Sequence, residues 1–313
     1  MSVRELSELD LPSVWAAVRR EVRPTTFLDR PELGVLLVSE TFQHTGSFKI
    51  RAATAVAQNV AAPRLLTASS GNFGAALARA TARAGKAATV VMPMRSAAVK
   101  VEAVRRLGAT VDLIDTDRIT RAARVGELAQ LDPEAQVVSP YDDPWVVAGN
   151  ATLAVELFER PEVPDCVVVP VGGGGLSSGF VVARDRMGAR CLVVGAEPRL
   201  ANDAARSLRA GVLCRNEREP DTLCDGVRTL SLGRLNFEIL RAGLDGLVEV
   251  SEEAVARAVR LLYSEVNLKA EPTGALALAA FLEAPERFAG QRVACVVSGG
   301  NVDPALYARL ITG

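Results

Sequence analysis

The 313 residues predict an α/β fold: two domains, each with a mostly parallel, twisted sheet covered by helices. Short apolar runs recur at 65–68, 88–92, 110–114, 135–138, 166–171, 191–196 and 293–298, and Ala-rich stretches lie between them. Alternation of this kind builds parallel sheets buried on both faces. The length exceeds that of one typical domain and is enough to bury a large core. The segment 64–140 has its own βαβαβ rhythm. It is expected to form a smaller domain, with 1–63 and 141–313 making the larger one.

In chain order, the first twenty residues read as an amphipathic helix entered after Asp10-Leu11-Pro12. The stretch ETFQHTGSFKIRAA, 40–53, then places Lys49 after Gly46, Ser47 and Phe48, with helix formers following. At a helix start the positive end of the dipole disfavours another cation and lowers an amine pKa. Such an amine can attack an aldehyde and form a Schiff base. His44 lies five residues earlier and reads as a solvated loop residue. In TASSGNFGAALARA, 67–80, an apolar run leads through Ser69-Ser70-Gly71-Asn72 into an Ala-rich helix. That layout aims backbone N–H groups at an anion such as a carboxylate, although a simple capped turn has the same look.

Helices are expected over 117–130 and 252–263, with arginines on solvated faces. In DCVVVPVGGGGLSSG, a buried strand ends in Gly172, Gly173, Gly174 and Gly175, and a helix begins near Leu176. Consecutive glycines let the backbone wrap an anion, and phosphate is the natural guest. The spacing matches neither G-x-G-x-x-G nor G-x-x-x-x-G-K-[ST]. LKAEPTGALAL, 268–278, reads as a loop with a helix starting at Pro272-Thr273. The final apolar run ends in Ser298-Gly299-Gly300-Asn301. A serine at the carboxyl end of a strand lies where open sheets hold their ligands, and its hydroxyl can pair with a neutral ring nitrogen.

Composition excludes several classes of function. Hydrophobic residues make up 49% and charged ones 23%, a globular balance, and the formal net charge is −1. No basic patch suggests a nucleic-acid partner. No apolar run reaches the length of a membrane span, and the N-terminus lacks the features of a secretory signal. The five cysteines (Cys166, Cys191, Cys214, Cys224 and Cys295) show no C-x-x-C pairing and read mostly as core thiols. A cytoplasmic setting is expected.

Each motif alone is moderately specific, but their order and combination resemble the fold-type II pyridoxal-phosphate enzymes of the tryptophan synthase β family. Within it, the serine/threonine dehydratase and serine racemase branch is the nearest likeness. It runs from about residue 20 to the C-terminus. The resemblance implies a small domain inserted into a large one, with the cofactor in the cleft between them. Lys49 matches the Schiff-base lysine and Phe48 the residue packed near the cofactor ring. Asn72 matches the asparagine bonded to the cofactor's phenolic oxygen. Gly172 to Gly175, with Leu176 following, match the phosphate cup. Ser298 matches the partner of the pyridine nitrogen, and Gly226 in CDGVR passes near the cofactor. Ser69, Ser70, Gly71 and Asn72 match the loop that holds the substrate carboxylate. Glu197, Ala201 and Asp203 resemble a divalent-cation site suited to Mg²⁺ or Ca²⁺, two carboxylates with a backbone carbonyl. An exposed acidic loop is the other reading of that segment.

The resemblance implies a lyase that removes water and then ammonia from a 3-hydroxy amino acid such as L-threonine or L-serine. Ser298 cannot keep a ring nitrogen protonated, which weakens the electron sink and favours elimination. Ser70 matches a residue that returns a proton on the opposite face in racemases, so racemisation is the alternative. A β-replacing synthase and a nicotinamide dehydrogenase fit the motifs less well. Phe73 and Tyr141 depart from the usual pattern and are expected to alter the substrate side chain accepted. An extra C-terminal regulatory domain, as in biosynthetic threonine dehydratases, is not expected. A homodimer is expected from the family.

Overall fold

The structure is a computed structural model that describes residues 3–69, 71–96 and 98–313. Its strands are β1 (Thr26–Arg30), β2 (Val35–Ser39), β3 (Arg64–Ala68), β4 (Ala87–Pro93), β5 (Thr110–Ile114), β6 (Ala135–Val137), β7 (Cys166–Pro170), β8 (Leu192–Pro198), β9 (Gly246–Val250) and β10 (Val293–Val297). Its helices are α1 (Val3–Glu8), α2 (Leu11–Glu21), α3 (Lys49–Asn59), α4 (Asn72–Arg83), α5 (Ala98–Arg106), α6 (Arg121–Leu131) and α7 (Pro144–Phe158). They continue as α8 (Gly175–Met187), α9 (Asp203–Ala210), α10 (Arg234–Gly243), α11 (Glu252–Ser264), α12 (Pro272–Glu283) and α13 (Pro304–Thr312).

The strands form two sheets. One has the order β1-β2-β10-β7-β8-β9, the other β5-β4-β3-β6. All neighbours are parallel except β1 and β2, which are joined through Gly34 with φ 69°. Every strand expected from the sequence is present, within a residue or two at the ends. The second sheet draws only on residues between 64 and 137. Three strands were not anticipated: β1, β2 and β9 are short, and β1 carries charged residues at an edge.

Local chemistry sets the helix limits. Asp10 caps α2, whose buried stripe is Leu11, Val14, Trp15 and Val18. The helix expected over 117–130 begins later, at Arg121, because Thr120 Oγ1 accepts from Ala123 N at 3.1 Å. Asp115 holds the preceding turn through Asp117 N at 3.0 Å. Helices α7 and α12 are apolar almost all round and lie buried between other elements, so they show little of the amphipathic pattern that marks a surface helix. Where α3 crosses α7, a Cβ on Gly149 would lie 2.5 Å from the carbonyl of Arg51. Only glycine allows that approach.

Arg51 is fully buried in the same crossing. It donates to Glu40 Oε2 at 2.7 Å and Oε1 at 2.9 Å, to Glu156 Oε1 at 2.7 Å, and to the hydroxyls of Thr25 and Thr152 at 2.8 and 3.0 Å. Both carboxylates and the guanidinium are thereby satisfied, as a buried ion cluster requires.

The polar loops that concern function leave the carboxyl ends of parallel strands, where open α/β sheets hold ligands. Ser69 to Asn72 follow β3, Gly172 to Gly175 follow β7, and Ser298 follows β10.

Candidate active site

Lys49 is the first residue of α3 and its amine donates to the Pro140 carbonyl at 3.2 Å. Burial lowers the amine pKa from 10.5 to about 8, and Glu271 opposes that shift. Desolvation is the leading cause. Among the described residues Lys49 makes no ion pair, so its proton is weakly held. Its Nζ lies 4.9 Å from the centroid of the buried Phe48 ring.

The lysine loop is sewn to the strand-β10 loop. Phe48 N donates to the Ser298 carbonyl at 3.0 Å, Gly300 N donates to the Gly46 carbonyl at 2.9 Å, and Ser47 bridges Gly299. Gly46 has φ 72°, and a Cβ there would strike Asn301 Oδ1 at 2.3 Å. Ser298 is 1% exposed. One short segment thus fixes both Lys49 and Ser298.

The glycines after β7 form a tight cradle. A Cβ on Gly173 would lie 2.2 Å from Tyr141 Cγ, and one on Gly172 would lie 2.9 Å from Val227 Cα. A Cβ on Gly175 would lie 2.9 Å from the Tyr141 carbonyl. Gly174 has φ 90°, and a Cβ there would lie 2.8 Å from Asn236 Cβ. Asn236 Nδ2 ties the cradle down through the carbonyls of Gly173 at 2.7 Å and Tyr141 at 2.9 Å. Helix α8 starts at Gly175, and the next residue, Leu176, is buried in the core. A glycine loop running into a helix N-terminus is built to receive an anion. Tyr141 rests on Gly173, and its phenol is pushed up by burial first, then by Asp142 and Asp203.

On the opposite sheet, Ser69 Oγ accepts from Gly74 N at 3.0 Å, so its hydroxyl supports the start of α4. Gly71 faces open space. Ser70 lies outside the described residues. Asn72 opens α4, and its amide is engaged at both ends. Nδ2 donates to Glu271 Oε1 at 2.8 Å and Oδ1 accepts from Asn301 Nδ2 at 2.8 Å. Phe73 is 2% exposed and belongs to the main core, so it can act on a ligand only through the position of the loop. Gly226 N donates to Thr273 Oγ1 at 2.9 Å, which joins its turn to the start of α12.

Glu271, Asn301 and Asn236 were not marked as functional from the sequence. Glu271 is 3% exposed, and its carboxyl is pushed up to about 8 by burial, then by Asp225. The available signal was an acid just ahead of Pro272 in an otherwise apolar helix start. His44 is exposed.

Glu197, Ala201 and Asp203 are each 1% exposed, although Arg199 and Leu200 between them are exposed. Glu197 accepts from Ala204 N and Ala205 N, both at 2.9 Å, and so caps α9. Asp203 Oδ1 accepts from Asn216 Nδ2 at 2.8 Å, while its buried Oδ2 has no hydrogen-bond partner among the described residues. Burial pushes Glu197 up to about 9, and Asp203 adds to that. Among the described residues no three His, Cys, Asp or Glu side chains gather as metal ligands. A cation here would need backbone carbonyls and waters besides this pair.

The donors present suit a phosphorylated aldehyde with an aromatic ring: a weakly protonated amine, a glycine cradle at a helix start, a buried serine and a fixed amide. Comparison with known proteins agrees. The pyridoxal-phosphate dependent enzyme family matches residues 18–299. An L-threo-3-hydroxyaspartate ammonia-lyase of Pseudomonas sp is 37% identical over 284 residues, 89% of this chain and 88% of that protein. A serine racemase of Schizosaccharomyces pombe is 34% identical over 282 residues, 89% of this chain and 87% of that protein. The crystal structure of a T.th. threonine deaminase superposes with a TM-score of 0.86 at 39% identity, covering 94% of this chain and 98% of that one.

The chain therefore belongs to the fold-type II pyridoxal-phosphate dependent enzymes, in the serine/threonine dehydratase branch, whose members here are ammonia-lyases and racemases acting on amino acids.

Proposed function

We propose that the protein is an ammonia-lyase that converts a 3-hydroxy amino acid into a 2-oxo acid and ammonia. L-Threonine, L-serine and 3-hydroxyaspartate are the first substrates to test. The observation that carries this reading is the desolvated Lys49 amine, held at about 8 beside the loop of Ser298.

Lys49, Gly172 to Gly175, Asn72 and Ser298 would hold the cofactor, with Phe48, Leu176 and Gly226 around it. When bound, pyridoxal phosphate supplies an aldehyde for the substrate amine and a ring that withdraws electrons from Cα. Ser69, Gly71 and Asn72 border the place for the substrate carboxylate, which the start of α4 attracts. Lys49 would take the α-proton at its Nζ. A positioned base of this kind typically contributes about 10²–10⁴-fold. Its lowered pKa keeps a useful fraction neutral near pH 7–8. Ser298 would offer the ring nitrogen a neutral hydroxyl, and the β-hydroxyl would leave as water with the proton taken up at Lys49 Nζ, so that hydrolysis of the C–N bond afterwards gives the 2-oxo acid and ammonia.

Racemisation is the second reading, supported by the likeness to a serine racemase and by Ser70. Glu197, Ala201 and Asp203 are proposed to bind Mg²⁺ or Ca²⁺, supported by the unpartnered Asp203 Oδ2. The two sheets are proposed to head two domains, 64–140 and the remainder, in a cytoplasmic homodimer.

Product analysis of the cofactor-loaded enzyme with the three substrates, with and without Mg²⁺, tests the reading. Abundant 2-oxo acid and ammonia with little D-isomer are expected. D-isomer in equal or greater amount would replace the lyase by a racemase. Absence of both, with a spectral response to some other amino acid, would overturn the substrate class.

A further inference from the structure

We propose that Glu271 and Asn301 are positioning residues that lock the amide of Asn72 in one orientation, leaving a single N–H free to meet the cofactor. The proposal rests on the reading of this site as a pyridoxal-phosphate site.

The orientation follows from donor and acceptor chemistry. The Thr45 carbonyl can only accept, and it takes a hydrogen bond from Asn301 Nδ2 at 2.7 Å. That contact fixes which end of Asn301 faces inward. The second hydrogen of the same nitrogen reaches Asn72 Oδ1 at 2.8 Å. Asn72 must therefore turn its nitrogen the other way, where Glu271 Oε1 accepts at 2.8 Å. An amide nitrogen carries two hydrogens, so one is spent on Glu271 and one remains. In the chain Thr45–Asn301–Asn72–Glu271, Asn301 Nδ2 donates in both directions and Asn72 Nδ2 donates onward to Glu271, so each amide has one consistent orientation. That orientation holds whether Glu271 is ionised or protonated, because one carboxyl oxygen still accepts.

The supports are themselves fixed. Glu271 N donates to the Gly299 carbonyl at 3.1 Å, and Gly46 lies so close to Asn301 that any side chain there would collide with it. Asn72 belongs to the helix after β3, whereas Glu271 and Asn301 belong to segments beside the other sheet. The clamp thus reaches across the cleft and aims a group from one side at a ligand seated on the other. Small errors in such placement are costly.

The test uses the full-length protein with pyridoxal phosphate. Its readouts are the dissociation constant of the cofactor, the visible absorption band of the loaded protein and the melting temperature of the apoprotein. Glu271→Met is close in length and is only a weak acceptor; Glu271→Gln accepts through its amide oxygen. Glu271→Met is expected to weaken cofactor binding roughly tenfold, the usual scale of one lost hydrogen bond. It is also expected to move the band in the direction seen in Asn72→Ala, without lowering the melting temperature. Glu271→Gln should restore both values. Adding Glu271→Met to Asn72→Ala should change nothing further.

Effects that multiply in the double variant, a Glu271→Met band like the wild type, or an Asn72→Ala variant without effect would each overturn the clamp. Failure of the site reading has a different signature. A wild-type protein that takes up no cofactor, or a Lys49→Ala variant that keeps the band, would sink the site and the clamp with it.

Discussion

Lys49 and Arg51 lie two residues apart on α3, yet their environments treat their charges in opposite ways. Arg51 is paired with Glu40 and Glu156, whereas Lys49 donates to a backbone carbonyl and makes no ion pair among the described residues. Covalent uptake of pyridoxal phosphate by the apoprotein should therefore rise with pH through about 8 and level off soon after, because the Lys49 amine loses its proton there. An ordinary lysine would keep gaining past pH 10. Stopped-flow absorbance across pH 6.5–10.5 measures this, and Lys49→Ala should abolish the band. At Gly173, a single added methyl group would meet the Tyr141 ring at 2.2 Å. Gly173→Ala should cost about 1–3 kcal/mol, the scale of overpacking, and weaken cofactor binding. Removing the ring as well, in Gly173→Ala with Tyr141→Ala, should recover part of the stability in chemical denaturation.

At the scale of elements, α9 begins on a carboxyl group in place of the usual small polar cap. Glu197 receives two of its N–H groups, and the unpartnered Asp203 Oδ2 lies in the same buried region. Millimolar Mg²⁺ should raise the melting temperature, and Asp203→Asn should remove that gain. Acidity should also influence folding. Glu271 titrates near 4.5 in the unfolded chain and at about 8 in the folded one, so the folded state holds more protons in between. That part of the stability is complete below pH 4.5 and fades as pH rises toward 8. Glu271→Gln should flatten the decline of apoprotein melting temperature over this range. Elements flanked by glycine, proline or capping residues were legible in the sequence: β3, β7, β10, α2 and α12 fall where expected. Lys49, Gly172 to Gly175 and Ser298 belong to local motifs, and the structure sets them at the start of α3, after β7 and after β10. Strands β1 and β9 were not legible, since five half-buried residues carry too little periodicity. Glu271, Asn301 and Asn236 escaped notice for another reason. Their importance comes from partners 63 to 256 positions away in the chain, which local patterns do not encode.

At the scale of the whole molecule, the Arg51 cluster joins the segment before β1, the end of β2, α3 and α7 at one buried point. Breaking it should act globally. Arg51→Met leaves Glu40 and Glu156 buried without a countercharge and should lower unfolding free energy by about 3–5 kcal/mol. Denaturant titration should show the loss in a single transition that also takes Lys49 with it. The pairing of the larger sheet has a consequence for the order in which the chain assembles. Strand β10 lies between β2 and β7, so Val35 waits for Val293 as its neighbour. The strands of the β5-β4-β3-β6 sheet all lie between residues 64 and 137. On a ribosome that sheet can form while the C-terminal half is still unmade, whereas β2 stays without its parallel neighbour until the last strand emerges. Asn301 arrives later still. The contacts that tie Gly46, Phe48 and Asn72 to the loop after β10 are then among the last to form.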